Sequence, residues 1–89
     1  MCTKHTQTKQ ICHRISRAAG HLTAIGHMVE EGRDCADILV QLSAVRSALN
    51  SIGKLVITDH MQHCLSDALS SGDQAPLEQF TKALETYLK

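Results

Sequence analysis

The sequence predicts an all-α protomer of three helices, the central one long. Apolar residues recur in alternating steps of three and four along most of the chain, the spacing of one helix face. No segment alternates residue by residue as a half-buried strand does. The breaks between periodic segments carry Gly, Asp and Pro, which punctuate helices. At 89 residues, one domain over 1–89 is expected.

The first helix is expected from about Thr6 to Glu31, with Ile11, Ile15, Ala18, Leu22, Ile25 and Val29 as its apolar stripe. Gly32 supplies a C-terminal stop and Asp34 an N-cap for the second helix. That helix is expected from about Cys35 to Leu69. Its stripe is Ile38, Leu42, Val45, Leu49, Ile52 and Val56, with Gly53 inside at some cost in propensity. Ser70, Ser71, Gly72 and Asp73 read as a loop. Pro76 suits the first turn of a third helix, whose apolar face is Leu77, Phe80, Leu84 and Leu88.

Composition narrows the class. With one Phe, one Tyr and no Trp, aliphatic helix packing has to carry stability. A domain this small buries little surface alone, and oligomerisation is a common remedy. The long second helix cannot bury its whole stripe against one shorter helix, so self-association along it is expected. Formal net charge is zero, yet residues 1–29 hold Lys4, Lys9, Arg14 and Arg17 and no acid. Such asymmetry suits a nucleic-acid surface. No apolar run is long enough to span a membrane, and the N-terminal segment lacks the apolar core of a signal peptide. A cytoplasmic location follows as the expectation. Thiols stay reduced there, so the four cysteines point to metal binding or reactivity rather than disulfides.

Cys35, His60 and Cys64 carry the chemistry. His60 and Cys64 are four apart, hence one turn apart on one helix face. Cys35 lies 25 residues before His60, roughly 37 Å along a straight helix at about 1.5 Å per residue. A second copy packed antiparallel closes the gap. Cys35 of one chain then approaches His60 and Cys64 of the other, and a two-fold axis near Leu49 generates two identical shared sites. Two thiolates and one imidazole suit trigonal Cu(I), whereas Zn(II) wants a fourth ligand.

Four segments extend this reading: RISRAAG (residues 14–20), CADILVQLSAV (35–45), RSALN (46–50) and DHMQHCL (59–65). Together they resemble the CsoR/RcnR family of small helical transcriptional repressors, over nearly the whole chain. The resemblance implies antiparallel dimers that pair into a dimer-of-dimers tetramer. It also implies double-stranded operator DNA as partner, bound without a conventional recognition helix. Cys35, His60 and Cys64 fall on the Cys-His-Cys set of the family's copper sensors. Its nickel and cobalt sensors vary that set and recruit an N-terminal ligand, and its formaldehyde and persulfide sensors rely on a reactive cysteine, here Cys35. Some positions depart from the copper sensors: Asp34 stands where they often carry Tyr, and Gly20-His21 replaces a Gly-Gln pair. Their acidic outer residue on the third helix has Glu78 as its nearest counterpart.

The expected function is a repressor that binds operator DNA without metal and is released when Cu(I) binds across two protomers. Arg14 and Arg17, three apart on one helix face, lead the DNA-binding candidates, joined by Lys9 and Arg46. Lys54 is left unassigned. Cys2 and His5 are additional candidate ligands for Ni(II) or Co(II), and His63, read first as surface, is a further possible metal ligand. His13, His21 and His27 read as polar surface or as supports for other groups. The rival readings are a Ni(II)/Co(II) sensor, an electrophile sensor acting through Cys35, and a metal-binding bundle without DNA activity. No nucleophile, base and orienting group stand together in the pattern, so an enzyme is not expected.

Overall fold

The computed structural model describes residues 7–62 and 70–89. They form α1 (Thr8–Glu30), α2 (Cys35–His60) and α3 (Ala75–Leu88), with no strand among the described residues. Two compact units divide the chain, with the boundary inside α2 after Val56.

The first unit, described from residue 7 to 56, is a helical hairpin. Its core is Ala18 and Ile25 from α1 with Val45 and Ile52 from α2. In both helices the buried pair is seven residues apart, the repeat that keeps side chains on one seam. Ile11 and Ile38 are half-buried, and the rest of each expected stripe is exposed. Ile15, Leu22 and Val29 on α1 are exposed, as are Leu42, Leu49 and Val56 on α2; Leu22 and Leu49 keep about half their surface, 52% and 51%. Each helix therefore carries a buried seam and a parallel exposed one, again at a spacing of seven.

The connection from α1 to α2 follows from two residues. Gly32 adopts φ 72°, open to glycine at little cost. Its N–H donates to the Val29 carbonyl at 3.1 Å and the Arg33 N–H to the Met28 carbonyl at 3.0 Å. This Schellman pair satisfies the last carbonyls of α1. Asp34 then caps α2, its Oδ2 accepting from the Ala36 N–H at 3.2 Å.

The second unit, described over 57–62 and 70–89, holds the end of α2 and all of α3. The expected reach of the central helix to Leu69 falls mostly outside the described residues. Regular α-helix stops at His60, and residues 61–62 wind in a wider π-type turn; residues 63–69 lie outside the described set. Ser70 and Ser71 are helical rather than loop. Serine does not by itself end a helix, whereas Gly72 does, at φ 76°. Asp73 then accepts from the Ala75 N–H at 3.0 Å, and Pro76 occupies the first turn of α3 as expected.

Candidate functional site

Cys35 is the first residue of α2, directly behind the Asp34 cap. Its thiol is free and its side chain exposed. His60 is the last residue of that helix. Its ring is half-buried and stacks on Phe80 of α3, with centroids 3.9 Å apart and planes 14° from parallel. One helix thus opens with one expected donor and closes with the other. Among the described residues, no three His, Cys, Asp or Glu side chains gather closely enough within the single chain to hold a metal. Cys64, His63, Cys2 and His5 lie outside the described residues. The donors fit a soft metal by their chemistry: Cys35 offers a free thiol and His60 an imidazole.

Two residues beside His60 escaped the sequence reading. Asp59 is fully buried. Phe80 was read as one more apolar position on the third helix, and nothing in the sequence marks it as the side chain that meets His60. Glu78, the acidic candidate on that helix, is exposed.

A second site lies within the hairpin. Gln10, His13, Arg14, Arg17 and His21 of α1 face Ala48, Ser51 and Ile52 of α2 across a groove of about 490 Å³. Arg14 and Arg17 share it, as their spacing predicts, and among the described residues no carboxylate lines it. His13 and His21 add imidazoles to the same wall. The His21 Nε2 stands 2.7 Å from Gln41 Oε1 of α2; the carbonyl oxygen accepts, so the ring nitrogen donates. Lys9 and Arg46 are exposed but outside the groove lining. His27 is also exposed, with Nδ1 3.6 Å from Glu30. The groove presents two permanent guanidinium charges between two helices, an arrangement able to bind phosphate bidentately. Among the described residues, no helix is long and apolar enough to cross a membrane.

Residues 7–86 match the family of metal-sensitive transcriptional repressors. The chain belongs to this family. It is 45% identical over 64 residues to the copper-sensing transcriptional repressor CsoR of Bacillus subtilis (strain 168), a match covering 72% of this chain and 63% of that protein. To the copper-sensing transcriptional repressor RicR of Mycobacterium tuberculosis (strain ATCC 25618 / H37Rv) it is 36% identical over 75 residues, 81% of this chain and 78% of that one. The structure is similar to the crystal structure of the copper-sensing repressor CsoR with Cu(I) from Geobacillus thermodenitrificans NG80-2. The TM-score is 0.89 at 30% identity, covering 100% of this chain and 95% of the other. It is also similar to the nickel-responsive transcriptional regulator InrS, with a TM-score of 0.78 at 31% identity over 98% and 99% of the two chains.

Proposed function

We propose that this chain is a Cu(I)-responsive repressor, acting over residues 1–89 as one module. The metal-free protein binds double-stranded operator DNA. It lets go when Cys35 of one protomer, with His60 and Cys64 of a second, holds Cu(I). The observation that carries this reading is the placement of Cys35 and His60 at the two ends of one helix, with an exposed apolar seam between them. An antiparallel copy centred on Leu49 brings Leu42 opposite Val56 of the copy. The same register sets the Cys35 end of one helix beside the His60 end of its copy. One packing arrangement therefore covers the exposed seam and completes two identical metal sites. Two such dimers make the tetramer.

The DNA side of the reading rests on the groove. Arg14 and Arg17 contact phosphate or base edges, and Lys9 and Arg46 add charge beside them. Fixing three donors across two chains ties the helices in one arrangement. If that arrangement fits DNA less well, metal and DNA weaken each other by the same factor. His60→Ala is then expected to bind DNA as the parent does, but without release by Cu(I).

The likeness to a nickel-responsive regulator favours a second reading, in which Cys2 or His5 completes a site for Ni(II) or Co(II). The exposed free thiol of Cys35 equally suits covalent sensing of formaldehyde or a persulfide. One experiment separates these: anaerobic titration of the reduced protein with Cu(I) against a competing chelator. Uptake of one Cu(I) per protomer, lost in Cys35→Ala, is expected. Failure to compete with a weak chelator sinks the copper reading. Removing residues 1–5 leaves Cu(I) uptake intact, and its loss on that removal would favour the N-terminal ligand set. Zn(II) bound without any salt-dependent DNA binding would instead mark a bundle that only holds metal.

A further inference from the structure

We propose that Phe80 positions the His60 imidazole for metal coordination by stacking on its face. This inference rests on His60 being a ligand, as argued above. The two rings are nearly parallel, 14° apart in plane, with centroids 3.9 Å apart. An imidazole binds metal through a nitrogen lone pair in the plane of the ring. A stacked phenyl covers the face of the ring and not that edge. Phe80 also has no donor or acceptor. It therefore restrains the rotation of His60 about its side-chain bonds while taking up neither ring nitrogen.

A hydrogen-bonding support works differently. It occupies one nitrogen, fixes the tautomer and leaves the other nitrogen to the metal. A stacking support orients the ring without choosing the nitrogen. The apolar ring also shields one side of His60 from water. The two side chains come from different helices, His60 closing α2 and Phe80 lying on α3, within one compact unit. A residue of α3 thus sets the direction in which a donor of α2 points. A metal that needs His60 in a different orientation has to displace Phe80, so the stack also bears on which coordination geometries the site accepts.

A series at position 80 in the full-length protein tests this, beside Cys35→Ala and His60→Ala. In the metal-free protein the carbon-bound ring protons of His60, assigned by their disappearance in His60→Ala, are shielded by the Phe80 ring current. They are expected to move downfield in Phe80→Leu; an unchanged shift overturns the stack. In anaerobic competition, Phe80→Leu is expected to bind Cu(I) at unchanged stoichiometry but about tenfold more weakly, the usual scale for loss of a ligand's support. Phe80→Tyr, which keeps the ring, is expected to match the parent. Equal affinity of Phe80→Leu and parent, with Cys35→Ala abolishing binding, overturns the positioning role and leaves the site standing. Equal loss in the Tyr and Leu variants overturns it too, because the ring would then matter only as packing. No Cu(I) uptake by the parent, or parent-like uptake by both Cys35→Ala and His60→Ala, overturns the site itself. Should Phe80→Leu lose its helical circular dichroism, Phe80→Met replaces it at similar volume without a ring.

Discussion

Cys35 is a free and exposed cysteine, whereas free cysteine is among the most buried residue types. Its exposure in the single chain leaves the thiol to chemistry or to contact with a second copy, as the proposed shared site requires. Cys12 is exposed as well and serves as an internal control. Brief alkylation of the metal-free protein, read by peptide mass spectrometry, should label both. After one equivalent of Cu(I), Cys35 should be protected and Cys12 labelled as before; equal labelling of Cys35 in both states would count against its role as a ligand. At this scale the sequence was informative only where chemistry is carried by residue type. A thiol and an imidazole announce themselves, and Arg14 with Arg17 share a groove because three residues make most of a helical turn. Phe80 announces nothing. Its contact with His60 joins residues 20 apart through the packing of two helices, which no local pattern encodes. The same holds for Asp59, whose burial is a property of the fold around it.

The elements were legible where their ends depend on single residues with one physical job. Gly32 and Asp34 were read as a stop and a cap, and each acts so through hydrogen bonds to its neighbours. The change from α to π winding at residues 61–62 was not legible, because no residue type there signals a wider turn. Ser70 and Ser71 were misread because composition suggests a loop where only Gly72 adopts a positive φ. Gly32 lends itself to measurement. A Cβ there meets nothing within 4 Å, so its substitution costs conformational rather than steric energy. Gly32→Ala forces an L-residue to φ 72° and should lower stability by about 1–2 kcal/mol. Urea denaturation at fixed protein concentration checks this. A loss below a few tenths of a kcal/mol would mean that the turn relaxes into another form.

At the scale of the whole molecule, charge and apolar surface are divided between faces of the same hairpin. The groove gathers guanidinium groups and, among the described residues, no carboxylate, and DNA binding there should release counterions. Arg17→Ala should flatten the plot of log binding constant against log salt by about one unit. An unchanged slope, measured by fluorescence anisotropy on operator DNA, would place the phosphate contacts elsewhere.

The seam formed by Leu42, Leu49 and Val56 makes a separate demand. Its exposure in the single chain is a cost that the proposed second copy would remove. In the proposed antiparallel register, Leu49 would sit on the two-fold axis and face itself. A charge introduced there is thus placed opposite its own image, desolvated and repelled at once. Leu49→Glu should leave the hairpin helical, because Leu49 lies outside the Ala18, Ile25, Val45 and Ile52 core. Analytical ultracentrifugation should nevertheless show a shift to smaller species. Cu(I) affinity should fall with assembly if, as proposed, each site draws donors from two chains. Cys35→Ala gives the converse, losing Cu(I) while keeping the assembled state. If Leu49→Glu sediments as the parent does, the axis does not pass through the middle of α2, and the shared site loses the geometry that completes it.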